Sequence, residues 1–223
     1  MGTLYIVGTP IGNLKDITLR ALEILKGVDL ILAEDTRVTK KLLSYYGISK
    51  PLKRYDENVG RAIYSEVRER LQKGQNIVLV TDAGTPSISD PGSRLVAFIR
   101  QELPDVKIVP IPGPSALTAA LSVAGVNADQ FTFFGYPPHK KGRQKFFKEL
   151  KDTEIRPIVL YESPHRIVKT LDNLAEVFGQ NYKIVVCREL TKVYEEIFMG
   201  TVENALEHFR GERQRGEFVL IIL

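Results

Sequence analysis

Carboxylates, arginines and glycine-proline turns recur directly after short apolar runs in this 223-residue sequence. Glu34-Asp35-Thr36-Arg37 follows residues 30–33, and Asp82 opens the segment after residues 77–81. Glu162 and Arg166 lie just past a third run, and Arg188-Glu189-Leu190-Thr191-Lys192 follows a fourth. A carboxylate in such a place can accept a proton, and an arginine can grip a phosphate. Helix caps or surface ion pairs would explain any one of these groups, but their repetition points to a polar cleft. The candidates for a general base are therefore Glu34, Asp35, Asp82, Glu162 and Glu189. Glu189 and Asp35 come first, because each stands beside an arginine, Arg188 and Arg37, that could hold a substrate phosphate.

The glycine-rich turns supply candidate ligand loops. Gly8-Thr9-Pro10-Ile11-Gly12 follows the first apolar run, where glycine lets backbone approach a ligand. Asp82-Ala83-Gly84-Thr85-Pro86-Ser87-Ile88-Ser89-Asp90-Pro91-Gly92 is longer than a plain connection needs. In Pro110-Ile111-Pro112-Gly113-Pro114-Ser115-Ala116 three prolines fix the chain, and Ser115 can cap a following helix. That segment reads as an interdomain joint, as a wall for a ligand, or as both. None of the three is a dinucleotide fingerprint or a P-loop. The three histidines are scattered, and there is one cysteine, so neither a metal site nor a disulfide is expected. No nucleophile elbow of the G-x-S-x-G type occurs.

Elements of an α/β fold must position these loops. Strands are expected at residues 4–7, 30–33, 77–81, 107–110, 130–134, 157–161, 183–187, 193–199 and 217–223. Helices are expected at 19–25, 40–46, 61–71, 91–100, 115–124, 144–151, 165–177 and 202–209. The early β-α alternation argues for a largely parallel sheet, and the strand-rich end argues for a mixed one. Two α/β domains, 1–112 and 113–223, are expected to join near Pro112-Gly113-Pro114. The first run lacks a basic leader and reads as a strand rather than a signal peptide. No apolar run is long enough to span a membrane, and the single cysteine, Cys187, makes a reducing cytoplasm the expected setting.

Net charge is +4, and the excess is local. Residues 139–148 carry five Lys and Arg residues and no acid. Lys140, Lys141, Arg143 and Lys145 are the candidate phosphate contacts there, since cations can neutralise a nucleic-acid backbone. Phe146 and Phe147 read as core residues, not as stacking platforms.

Taken together and in order, these segments resemble a known family. The carriers are residues 4–14, Ala33-Glu34-Asp35-Thr36-Arg37, Asp82-Ala83-Gly84-Thr85-Pro86, Asp90-Pro91-Gly92 and Pro112-Gly113-Pro114-Ser115-Ala116. Phe134-Gly135-Tyr136-Pro137-Pro138, Tyr161-Glu162-Ser163-Pro164-His165-Arg166 and Arg188-Glu189-Leu190-Thr191-Lys192 complete the set. They are similar to the bacterial 16S ribosomal RNA cytidine 2′-O-ribose methyltransferases of the tetrapyrrole-methylase-like superfamily. The resemblance implies S-adenosylmethionine as methyl donor, bound in an interdomain cleft, and a homodimer. It implies a decoding-region cytidine of 16S RNA, free or in the small ribosomal subunit, as acceptor. It puts Pro10, Gly12, Ala83, Gly84, Thr85, Pro86, Ile88, Ser115, Ala116, Tyr161 and Leu190 near the donor. Arg37, Arg166 and Arg188 join the basic segment as candidate RNA contacts. A tetrapyrrole or other small-molecule methyltransferase on the same fold, or a non-catalytic RNA-binding assembly factor, are the alternative readings. Longer members of the family continue past the strand that ends here at Leu223, and the RNA contacts of such an extension are not read from this chain.

Overall fold

A computed structural model describes residues 1–56 and 61–223, the latter including the helix from Arg61. The chain divides into two compact units, Met1–Ser115 and Ala116–Leu223. The Pro112-Gly113-Pro114-Ser115 segment thus stays with the first unit. Its backbone explains why: Gly8 and Gly113 pack so closely that a Cβ on either would lie 2.9 Å from the other's backbone. Thr85 Oγ1 also donates to the Pro114 carbonyl at 3.3 Å.

The first unit contains β1 (Thr3–Val7), α1 (Leu19–Gly27), β2 (Leu30–Ala33), α2 (Thr36–Tyr45) and β3 (Leu52–Arg54). It continues with α3 (Arg61–Gln72), β4 (Ile77–Val80), α4 (Gly92–Glu102) and β5 (Lys107–Ile111). The strands form one parallel sheet in the order β3-β2-β4-β1-β5. Leu30-Ile31-Leu32-Ala33 and Ile77-Val78-Leu79-Val80 are buried throughout, because helices cover both faces. Ala21, Leu25, Leu42 and Leu43 of α1 and α2 pack in one core cluster. Val67, Leu71, Leu95 and Ile99 of α3 and α4 pack in another.

The second unit contains α5 (Ala116–Val123), β6 (Thr132–Gly135), α6 (Arg143–Asp152), β7 (Ile158–Glu162) and α7 (Ile167–Phe178). It ends with β8 (Lys183–Arg188), β9 (Glu196–Thr201), α8 (Val202–His208) and β10 (Phe218–Ile222). Its sheet is mixed, in the order β6-β7-β10-β8-β9. Only β6 and β7 run parallel; β10 inserts antiparallel between β7 and β8. All five residues of β10 are buried, as its central place requires. Phe147 and Leu150 of α6, Leu171 and Leu174 of α7, and Val202 and Ala205 of α8 pack on one face of this sheet.

Three elements differ from the sequence expectation, one of them β9, which begins at Glu196 rather than at residue 193 because Val193 and Tyr194 lie in a turn. The strand β3 has only three residues, one half-buried and two exposed, so it carries no apolar signal. Helix α2 begins at Thr36, four residues before the expected start, because the Asp35 side chain caps it by accepting from the Arg37 amide at 2.8 Å. Among the described residues no helix is long and apolar enough to cross a membrane.

Candidate active site

The chain leaves β2 toward β3 on one side of the first sheet and leaves β4 toward β5 on the other. A crevice therefore opens between the carboxyl ends of β2 and β4. Glu34 and Asp35 follow β2, Asp56 follows β3, and Asp82 follows β4. Together with Asp90 and Arg54 they line an open polar pocket of about 520 Å³.

The carboxylates in this pocket are not equivalent. Asp35 is committed: Arg37 Nε and Nη2 grip its two oxygens at 2.6 to 3.1 Å. That pairing, with the Arg37 amide, lowers its pKa to about 2. Such a carboxylate stays ionised but is a weak proton acceptor. Glu34 Oε2 accepts from Thr81 Oγ1 at 2.8 Å. Asp82 Oδ1 accepts from the Asp35 amide at 2.8 Å. Burial, opposed by that bond, and the neighbouring charges of Glu34 and Asp35 raise the Asp82 pKa above the usual carboxylate range. Asp82 thus holds a proton more readily than Asp35, which Arg37 keeps ionised.

Three glycine-bearing loops meet beside this crevice. Thr9 and Gly84 exchange two backbone hydrogen bonds, at 2.9 and 3.0 Å. Thr9 Oγ1 donates to the Thr81 carbonyl at 3.0 Å, and the Gly8 amide donates to the Ile111 carbonyl at 3.1 Å. The structure thus ties the loops bearing Pro10, Gly12, Ala83, Thr85, Pro86 and Ser115 into one scaffold. Ser87 and Ser89 lie in the left-handed region, at φ 78° and 65°. Non-glycine residues rarely rest there, and such strain concentrates at ligand sites. Between them Ile88 is left 45% exposed. Asp90 holds the turn by accepting from the Ser87 and Gly92 amides at 2.8 and 2.7 Å. Its other oxygen is buried without a partner among the described residues, and burial raises its pKa. Asp90, Arg54 and Asp56 were not among the expected site residues. For Asp90 the signal was present, as the end of the overlong loop; Arg54 and Asp56 follow the short β3 and carried none.

In the second unit the expected site residues separate into different roles. Tyr161 Oη accepts from the Leu117 amide at 3.1 Å, which ties the end of β7 to the start of α5 beside Ala116. Its ring packs edge-on against Phe133 and Tyr136. Glu162 is 1% exposed and serves a buried network. Thr170 Oγ1 donates to its Oε2 at 2.5 Å, and Arg166 Nε lies 3.2 Å from its Oε1. Arg143 is also buried, with Nε on Asn173 Oδ1, Nη1 on the Pro138 carbonyl and Nη2 on Thr170 Oγ1. Arg166 donates to the Pro137 carbonyl. These three residues hold the loop after β6 through a shared buried network.

Glu189 and Thr191 follow β8 with φ of 50° and 67°. Glu189 Oε1 accepts from Lys192 Nζ at 2.7 Å and from the Glu217 amide at 2.9 Å. Burial acts against the charge, but Lys192, the Glu217 amide and Arg188 outweigh it and lower the Glu189 pKa. Gly216 makes room for this side chain, since a Cβ there would lie 2.4 Å from Glu189 Cγ. Leu190 between them is 9% exposed. Arg188 is engaged with the Arg215 carbonyl at 2.6 Å and with Glu196. Lys140, Lys141 and Lys145 are exposed, as is Arg37. Cys187 is fully buried in β8, and burial pushes its thiol up to about 11, so it is inert. Among the described residues no cluster of His, Cys, Asp and Glu could hold a metal ion.

Residues 3–206 match the family model described as Tetrapyrrole (Corrin/Porphyrin) Methylases. The ribosomal RNA small subunit methyltransferase I of Thermotoga maritima is 46% identical over 222 residues, covering 100% of this chain and 98% of that protein. The protein of the same name from Synechocystis sp. is 46% identical over 223 residues, covering 100% of this chain and 79% of its own length. Among solved structures, a cobalt precorrin-4 methyltransferase of cobalamin biosynthesis superposes with a TM-score of 0.74 at 19% identity, over 99% of this chain and 94% of that one. The uroporphyrin-III C-methyltransferase of Thermus thermophilus in complex with S-adenyl homocysteine gives 0.69 at 16%, over 99% and 97%. These likenesses to solved structures establish a shared fold.

Proposed function

The chain belongs to the tetrapyrrole (corrin/porphyrin) methylase family and, within it, to the ribosomal RNA small subunit methyltransferase I group, and from that premise we propose that it methylates the 2′-hydroxyl of a 16S ribosomal RNA cytidine with S-adenosylmethionine. The observation that carries the reading is the crevice between β2 and β4. There a carboxylate of raised proton affinity, Asp82, stands at the head of a loop tied to two glycine turns.

That loop has features suited to the donor. The strained Ser87–Ser89 turn presents an exposed aliphatic side chain, Ile88, to an apolar part of a ligand. Asp90 fixes that turn through the Ser87 and Gly92 amides. Gly84, at φ 85°, keeps the adjoining backbone clear of a side chain. The donor supplies a methyl group on a positively charged sulfur, already a strong electrophile. The protein's task is then alignment and proton removal. Asp82 takes the proton of the 2′-hydroxyl as the oxygen–methyl bond forms and the methyl–sulfur bond breaks. S-adenosylhomocysteine and a 2′-O-methylated nucleotide result. The Asp35 amide holds Asp82 in place, and the charges of Glu34 and Asp35 raise its proton affinity. Lys140, Lys141 and Lys145 face solvent and serve the RNA backbone, whereas Arg37, though exposed, is engaged with Asp35.

The acceptor is read as 16S RNA, free or in the small subunit, and the compartment as the cytoplasm. Calorimetric titration with S-adenosylmethionine, followed by a radiolabelled methyl assay on small subunits lacking the modification, tests the proposal. One donor per chain and label in a 16S cytidine are expected. A folded protein that binds no donor would overturn it. The active form is read as a homodimer, supported by the edge strand β9, where Ile197 and Met199 are 41% and 60% exposed. Sedimentation should give twice the chain mass and Met199→Lys a monomer; a monomeric wild type would refute this.

A further inference from the structure

The basic segment after β6 is not a uniform patch. Lys140 and Lys145 line an open pocket of about 550 Å³ whose far wall is Lys169 and Asn173, one turn apart on α7. Lys141, their neighbour in sequence, does not line it. Lys169 lies outside the basic run, and only the packing of α6 against α7 brings it there.

The pocket's electrostatics are one-sided. Its lining holds four cationic side chains, Lys140, Arg143, Lys145 and Lys169, and no carboxylate. Arg143 forms the floor, and the three acceptors that hold its Nε, Nη1 and Nη2 are all uncharged. Behind it Glu162 serves as the single carboxylate of a network with two guanidiniums, Arg143 and Arg166. The buried network therefore leaves one positive charge uncompensated under a rim of lysines. Lys145 has a partner in Glu149 at 3.5 Å, but both side chains are exposed and such a pair is weak. The start of α6 adds to the field. Its cap, Gly142, at φ 80°, carries no side chain and so contributes no capping acceptor. Gathering four cations over a poorly solvated floor costs free energy that a bound anion recovers.

We infer that this α6–α7 pocket is the seat of an RNA backbone phosphate, with Lys169 as a contact residue equal in weight to Lys140 and Lys145. The inference rests on the RNA-methylation reading for the identity of its ligand. It deepens that reading by replacing a diffuse basic loop with one built site in the second unit. A phosphodiester fits because its charge is compact and singly negative, and Gln144 offers an amide group beside the lysines, while Asn173 is held between Arg143 and Glu176.

The test is a binding titration of purified small ribosomal subunits lacking the modification, run over a salt series with wild type, Lys169→Glu and Lys148→Glu. Lys148 is exposed on the same helix α6 and absent from the pocket lining, so it controls for net charge. Lys169→Glu is expected to weaken binding by roughly tenfold or more and to flatten the salt slope by about one unit. Lys169→Gln should give an intermediate loss, and Lys148→Glu about twofold or less. Donor affinity by calorimetry should be the same for all four proteins. Equal losses for Lys169→Glu and Lys148→Glu, or no loss in either, would overturn the pocket, as would a wild type that does not bind the subunit. If wild type binds through Lys169 but transfers no methyl group, the pocket stands and the catalytic reading falls.

Discussion

Asp82→Asn is expected to cut methyl transfer by roughly 10²- to 10⁴-fold, the usual contribution of a general base. The change is close to isosteric. Asn keeps an oxygen to accept the Asp35 amide bond that fixes the end of β4 against the end of β2. Donor affinity should therefore stay within about threefold of wild type, because what is lost acts only as the proton leaves. Stability should not fall. Burial and the charges of Glu34 and Asp35 raise the folded-state pKa of Asp82, so its ionised form disfavours the folded state. That penalty is relieved as pH falls through the raised pKa, and it is absent in the Asn variant at every pH. Activity runs the other way: wild-type turnover should rise with pH as Asp82 ionises, with an inflection above the range of an ordinary carboxylate. Asp35→Asn and Glu189→Gln are expected to do less to turnover. Asp35 is held as a weak base by Arg37, and Glu189 is occupied by Lys192 and the Glu217 amide. An Asp82→Asn protein with wild-type single-turnover rates would remove Asp82 from the mechanism.

Much of this frame was legible in the sequence, for identifiable reasons. The runs 30–33 and 77–81 are continuous and apolar because parallel strands are covered on both faces, and that pattern survives in one dimension. Loops that follow such strands are located as soon as the strands are. What one dimension does not carry is the ranking of similar groups. Asp35 and Asp82 both follow buried strands. Yet one is neutralised by an arginine two residues away, and the other faces two carboxylates brought from a neighbouring strand. Favouring a carboxylate for having an arginine beside it selected Asp35 and Glu189, the two whose pKa values are lowered, because the arginine or lysine holds the charge rather than the substrate. Arg143 was misplaced for a related reason. It lies in a run of exposed cations, but the helical turn points it inward, onto Asn173 and Thr170 of α7. Lys169 was missed because it has no basic neighbours in sequence.

The same inward turn sets the second large effect, which concerns stability. Glu162→Ala is expected to destabilise the second unit by about 3–5 kcal/mol, the usual result of leaving buried charge without its partner. Glu162 is 1% exposed, and it is the carboxylate that faces both Thr170 and Arg166. Without it Arg166 loses its buried counter-charge, Arg143 loses the carboxylate behind Thr170, and the Thr170 hydroxyl loses its acceptor. The loss should be local. Hydrogen exchange should quicken in α6 and α7, while the amides of β1, β2 and β4 keep their wild-type protection. Glu162→Gln should cost less, because an amide oxygen still accepts from Thr170 while the charge is gone. If Glu162 were instead the base, the pattern would invert, with Glu162→Gln folded as firmly as wild type and without turnover. The two carboxylates thus make opposite predictions: Asp82 governs rate at little cost to folding, and Glu162 governs folding. A thermal melt beside a single-turnover assay on the two amide variants separates them.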